Sequence, residues 1–362
     1  MPGQARSTII TASPNMTTAS LDEPMFSDGP ISTAVKGMLV GRMWPSSAAQ
    51  PVQDIVELET YFTYFQHETQ SAWIQYHSIH TFEDFILIID TIRGNPTSNL
   101  ADLRIAIANV KPSLASDQTK LSASIELVIR LWLLINVTIR STPSRNPTEG
   151  SLPWLDTQSL TEVLERHMTV PAASSVSTTE TFSDYLNVVE MKRIANFQVV
   201  WTSDLSGHLT LRDGTVHIFY QVVALRRLST SLLGSFLPSE FINETLSTLS
   251  LLVPQTKQEC NSWLRAQVDV YRLDPFIIFD RQVVERGKRS YPHWQMRLVA
   301  LSEAFDRKMP TGPIQWWYDR RDMGRWWNYW LVMLGILLTV LFGLIQSVTG
   351  ILQVIGVGGG GD

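Results

Sequence analysis

Between residues 54 and 140 apolar positions return every three or four residues in four segments: DIVELETYFTYFQHETQSAW (54–73), TFEDFILIIDTIRG (81–94), LADLRIAIANV (100–110) and SASIELVIRLWLLINVTIR (122–140). That spacing is helical, and Thr81 and Ser122 stand where N-caps belong, so the stretch predicts a helical layer. Glu126 and Arg130 interrupt the fourth segment, which suits a core helix better than a membrane span. Three more helices are predicted: DTQSLTEVLERHM (156–168), PSEFINETLSTLSLLVP (238–254), bounded by a proline at each end, and YPHWQMRLVALSEAFDRKM (291–309). Between them the period changes. HLTL and VHIF flank RDGT, and an Asp213-Gly214 pair between alternating apolar residues signals a hairpin. FQVVWT (197–202) supplies a third strand, so 197–220 predicts a small antiparallel sheet patching a helical core. A helix before a three-stranded ribbon also suggests a winged helix, but the near-balanced charge of this region weighs against DNA binding.

The strongest pattern is aperiodic. From residue 326 to 361 there is no charged side chain, and the core of that run is WLVMLGILLTVLFGLIQSVTGILQV (330–354). A hydrocarbon layer of about 30 Å takes about 20 helical residues, so this segment predicts one transmembrane helix. Before it, QWWYDRRDMGRWWNYW sets Trp316, Trp317, Tyr318, Trp326, Trp327, Tyr329 and Trp330 around Arg320, Arg321 and Arg325. Aromatic side chains mixed with cations mark a membrane–water interface, and residues 311–329 form that collar. Residues 355–362 are a short Gly-rich tail without Lys or Arg, so the positive-inside bias puts residues 1–325 in the cytoplasm. A span in this place implies tail-anchored insertion, and leaves the sequons at Asn15, Asn136 and Asn243 on the unglycosylated side.

Within the span, Thr339, Gly343, Gln346, Gly350 and Gln353 follow at intervals of 4, 3, 4 and 3, which puts them on one helix stripe. Small residues let helices approach in lipid, and amides bond across the contact, so the stripe is a candidate helix–helix contact and homo-oligomer face. Two other readings stay open: amides tolerated near the bilayer edge, and a narrow polar pore.

The rest of the chain is bounded by composition. Residues 1–50 are rich in Ser, Thr, Pro, Ala and Gly with few large apolar side chains, which predicts a disordered, flexible arm. It carries no evident cleaved address. The loop STPSRNPTEGSLP (141–153) is the possible internal boundary of a soluble domain over 51–310. At 362 residues and 44% hydrophobic content the chain can bury a sizeable core. A net charge of -5 gives no basic footprint, so nucleic acid is not an expected partner. Cys260 is the only cysteine, which excludes an intrachain disulfide and a cysteine-based zinc cluster.

Five elements together carry a resemblance: Arg130-Leu-Trp-Leu133, Trp201-Thr202 with His208-Leu209, Glu244-Thr-Leu-Ser-Thr-Leu249, Trp316-Trp-Tyr-Asp-Arg-Arg321 and the terminal span. Over residues 82–354 the chain resembles a large family of uncharacterised fungal proteins with a single C-terminal transmembrane helix. It departs at Tyr220 and Gln221, where that family has His-rich sequence. The resemblance implies an architecture and a fungal source and no activity, and leaves an accessory role in secondary metabolism open.

Candidate chemistry is sparse. His77-x-x-His80, with His67, Glu68 and Asp84 near in sequence, has a spacing that suits a metal on one helical turn, but solvated or core histidines fit as well. His208 and His217 flank the hairpin with Ser203 and Asp204 upstream, yet nothing resembles a nucleophile elbow, and SDLSGHL reads as a turn capped by Ser203 or Asp204. No phosphate-binding glycine motif is present, the carboxylates are scattered, and ALRRL (224–228) with Arg212 reads as a solvated face. No catalytic, cofactor or metal residue is assigned.

The sequence thus predicts a mostly α cytoplasmic domain with a small antiparallel sheet, held on a lipid bilayer by one helix. Its expected role is a non-enzymatic interaction or scaffold protein that self-associates, with no protein partner or organelle singled out. The alternatives are an oligomeric channel or transport accessory, and a membrane-tethered accessory enzyme, which needs His208, His217 and a carboxylate to converge in a pocket.

Overall fold

All the predicted helical segments contain helices in the computed structural model, which describes residues 20–46, 53–139, 150–168, 182–231, 236–279 and 290–358. In chain order the helices are α1 (Thr33–Met43), α2 (Gln53–Glu57), α3 (Glu59–Glu68), α4 (Phe82–Gly94), α5 (Leu100–Val110), α6 (Gln118–Leu133), α7 (Leu160–Met168), α8 (Val188–Ala195), α9 (Val222–Thr230), α10 (Ser239–Leu252), α11 (Gln258–Tyr271), α12 (Phe276–Phe279), α13 (Gln295–Arg307), α14 (Pro313–Tyr318) and α15 (Met323–Gly358). The short strands are β1 (Val137–Ile139), β2 (Leu152–Trp154), β3 (Gln198–Thr202), β4 (Leu211–Arg212) and β5 (Thr215–Phe219). The protein is mostly α with a small sheet and one apolar helix near its C-terminus.

Thr81 caps α4 as its sequence predicts. Its hydroxyl accepts from Asp84 N while the Asp84 carboxylate accepts from Thr81 N, a reciprocal capping box. Ser122 does not cap α6. Asp117 does, accepting from the backbone of Thr119 and Lys120, and Ser122 lies inside the helix with its hydroxyl donating to Gln118 O. The polar first turn of α6 hides its true start from a reading of apolar period. From Leu121 onward α6 is buried on nearly every side, and it forms the axis of the domain.

The arm expected over residues 1–50 is corrected over residues 20–46; residues 1–19 and 47–50 lie outside the described part. Residues 21–25 lie along the start of α4, with Met25 N donating to His80 O (2.8 Å) and Glu83 N to Leu21 O (2.8 Å). α1 then buries Val35, Leu39, Val40 and Met43 on one face. Its end is locked by two reciprocal indole bonds: Trp44 Nε1 donates to Trp132 O and Trp132 Nε1 to Met43 O, both at 2.9 Å. Few apolar residues suffice here because each falls on the same face.

The Asp213-Gly214 turn forms as expected, with φ of 47° and 78° at its two residues, the left-handed pair that a tight hairpin needs. It joins β4 and β5, which are antiparallel. β3 pairs with the other edge of β5, but parallel to it, from Gln198↔Thr215 to Thr202↔Phe219. The sheet is therefore mixed, in the order β3-β5-β4, and not wholly antiparallel. Side-chain alternation carries no information on strand direction. β1 and β2 form a second, parallel pair.

The possible boundary at 141–153 does not divide two cores. Residues 140–149 lie outside the described part, but Leu152 to Trp154 form β2 against β1, Trp154 is buried, and one hydrophobic cluster runs from Met25 to Phe305. Helices α1, α8, α9, α11, α12 and α14 had no prediction as helices. In α11 only Cys260 and Leu264 are buried, too few to set a visible period.

Leu39 lies wholly inside the core. Leu39→Ala should lower stability by about 3 kcal/mol, as truncation of a buried leucine does. Denaturant unfolding of the detergent-solubilised chain measures it, and an unchanged midpoint would return residues 20–46 to the status of an arm.

Candidate membrane interface

Among the described residues, none buries the most apolar part of α15. Residues 323–353 form an apolar stretch of 31 residues, and its most apolar window has no buried residue. At 1.5 Å per residue this is about 46 Å, about the thickness of a bilayer with its headgroup layers. It is one helix long and apolar enough to cross a membrane. The stripe residues Thr339, Gly343, Gln346, Gly350 and Gln353 are all exposed and fall within an arc of about 80° at 100° per residue. A Cβ at Gly343 or Gly350 would meet nothing within 4 Å. Thr339 Oγ1 donates back to Gly335 O (2.8 Å), so the side-chain donors on the stripe are the amides of Gln346 and Gln353.

The collar divides into an inner and an outer part. Arg321 is turned into the domain. Its guanidinium forks onto Asp319, with Nε to Oδ1 and Nη2 to Oδ2 both at 2.9 Å, while Nη2 donates to Lys308 O (2.7 Å) and Nη1 to Phe305 O. Those two carbonyls belong to the end of α13, where helix geometry leaves acceptors without donors. The guanidinium also lies over the Phe305 ring at 4.5 Å. Trp316 of α14 stacks on Tyr329 of α15 with centroids 4.7 Å apart and planes at 8°. Trp317 meets Trp330 edge-on at 5.5 Å, and Trp326 packs on both Trp327 and Trp330. On its other side α14 is held by Arg193 of α8, whose guanidinium lies 4.1 Å from the Tyr318 ring centroid. α14 is thus a clip between the domain and the first turns of α15.

Arg320 and Arg325 remain outside. Arg320 lies over Trp326 at 4.4 Å, and Arg325 pairs with Asp322 at 3.1 Å, both cations being exposed to solvent. From sequence Arg321 shares the role of these two, because a charge beside an apolar helix looks alike whichever way it turns. Asp319 and Arg193 carried no signal as partners of the collar.

The histidines do not form a site. His77 lies beyond the end of a short 3-10 turn in extended backbone, so His77 and His80 do not share a helical turn. His77 is stacked on Phe26 at 5.3 Å, and burial lowers its pKa to about 4; His67 and His80 are exposed. Among the described residues no group of three or more His, Cys, Asp or Glu is placed to hold a metal. Asp204 caps the turn at Leu205–Gly207, as one of the two expected caps, and its carboxylate is held by Ser206 and by Asn136 N. His217 approaches Thr210 O.

His208 is fully buried, and its surroundings fix its tautomer. Phe219 N can only donate, so Nδ1 accepts (3.1 Å), and Nε2–H donates to Thr248 Oγ1 (2.8 Å). Thr248 passes its own proton to Thr245 O (2.6 Å), and Thr245 Oγ1 accepts from Trp294 Nε1 (2.9 Å). The Trp294 ring meets His208 edge-on at 4.9 Å. Glu244, one residue before Thr245, accepts from the backbone of His293 and Trp294 at the start of α13. Arg297 of α13 reaches back to Ser206 O and His208 O. His208, Glu244 and Thr245 therefore join the sheet, α10 and α13 in one buried polar cluster, and α13 in turn carries the Arg321 fork.

No family model, curated protein or solved structure matches the chain, so its function is argued from this geometry.

Burial lowers the His208 pKa from 6.5 to about 3. The native state therefore resists a proton that the unfolded chain accepts, and stability is complete above about pH 6.5 and lost progressively as pH falls toward 3. Burial lowers His77 and His167 to about 4, acting in the same direction, whereas it raises Asp274 to about 6, acting in the opposite one. These contributions are common to wild type and His208→Gln, whose amide can keep both hydrogen bonds. The variant should lose less stability between pH 7 and pH 4 than wild type in thermal melts. Equal losses would show that His208 takes up no proton on unfolding.

Proposed function

We propose that this protein is a single-pass membrane protein of scaffold type, which holds its helical domain on the cytoplasmic face and associates with a second copy through α15. The observation that carries this reading is the unburied apolar window within residues 323–353, attached to a domain that has its own hydrophobic cluster. Arg320 and Arg325 supply cations on the domain side, and residues 354–362 carry none, which favours the cytoplasmic side for the domain. The exposed stripe from Thr339 to Gln353 supports association, because glycines permit close approach and amides bond well where no water competes.

Protease protection on sealed membranes, with a tag at each end, tests the orientation. The N-terminal tag should be digested and the C-terminal tag shielded; the reverse pattern would overturn the cytoplasmic assignment. For association, Gln346→Leu with Gln353→Leu should weaken the detergent-resistant oligomer roughly thirtyfold, from two amide contacts of about 1 kcal/mol each. An oligomer indifferent to the pair would remove the stripe as its contact.

A further inference from the structure

We infer that α14 and the turn leading into α15 lie within the lipid headgroup layer, so that the domain rests on the bilayer instead of hanging from a free tether. This rests on α15 crossing the membrane. The first observation is that α14 has two faces with different company. Its inner face is filled, by Trp316 on Tyr329 and by Asp319 following it on Arg321. Its outer side is apolar and partly open: Ile314 is 74% exposed and Trp317 52%, between the ring contacts of Trp317 with α15 and the Arg193 contact of Tyr318. Met309, Met323 and Trp327, close by in the chain, are also exposed, at 53%, 49% and 56%.

Continuity with α15 identifies what covers this surface. Trp317 is in ring contact with Trp326 and Trp330, the residues that open the apolar stretch, so lipid reaching those indoles reaches Trp317 as well. Tryptophan combines an apolar body with one polar N–H and favours that depth. Arg320 and Arg325, the first over Trp326 and the second paired with Asp322, are exposed cations next to these indoles in the chain, which suits lipid phosphate. A swinging tether could not hold α14 there, but the linkage is fixed at both ends. Arg193 grips Tyr318 from α8, and Arg321 grips the end of α13. An amphipathic element held in this way lies in the interfacial plane with its apolar side toward the acyl chains.

Site-directed spin labelling of the full chain in lipid nanodiscs tests this. The only native cysteine, Cys260, is buried, so single Cys variants can be labelled against a silent background. Ile314→Cys and Met323→Cys probe the proposed surface, Leu341→Cys probes the middle of α15, and Ile105→Cys probes an exposed apolar site on α5. All four native side chains are exposed, so none of these changes disturbs the core. Labels at 314 and 323 should be less open to an aqueous nickel chelate and more open to oxygen than 105, with values between those at 105 and 341. A label at 314 as open to nickel as 105, with 341 in lipid, overturns the inference and leaves the spanning helix intact. Shielding at 314 from both probes means that protein covers the face, and also overturns it. An aqueous label at 341 removes the spanning helix and the inference together.

Discussion

Apolar helical surface that no side chain of its own protein covers has to be covered by another medium, and the architecture of this chain follows from that constraint. One hydrophobic cluster runs from Met25 to Phe305, and the most apolar window of α15 takes no part in it. What remains is a mechanical question: how a folded domain and a bare helix are joined. The join is made by charge and aromatic stacking. Arg321 and Asp319 complete the end of α13 with charge-assisted bonds, and α14 stacks between α8 and α15.

The polar groups inside the domain serve the same connection. His208 sits where a catalytic histidine could be imagined from sequence, yet both its nitrogens are taken, one by backbone and one by Thr248. Its neighbours Thr245 and Glu244 tie Trp294 and the start of α13, so the cluster fixes the helix whose other end receives Arg321. Buried polar groups that are fully bonded favour one arrangement over its neighbours, because any shift leaves donors or acceptors without partners. Several of the short motifs visible in the sequence, His208-Leu209, Glu244-Thr245 and Asp319 to Arg321, are thus links in one line of contacts from sheet to span.

Sequence carried the features that depend on local rules. The Asp213-Gly214 turn, the Thr81 cap, the proline-bounded helix at 238–254 and the apolar run near the C-terminus each depend on residues close in the chain, and each was legible. Features set by distant partners were not. The parallel course of β3 depends on which edge of β5 it meets, and the burial of α1 depends on Trp132 and its neighbours. Arg321 differs from Arg320 only in what it touches, so the division of the collar into a clamp and an outer surface lies beyond pattern reading.

Whether lipid is the medium around α15 is examined most directly by alkaline carbonate extraction of membranes from cells producing the full chain. Carbonate strips proteins held by surface contacts and leaves those embedded in the bilayer. The chain should stay with the membrane pellet. Release into the supernatant would contradict it, and would mean that residues 323–353 are covered by protein.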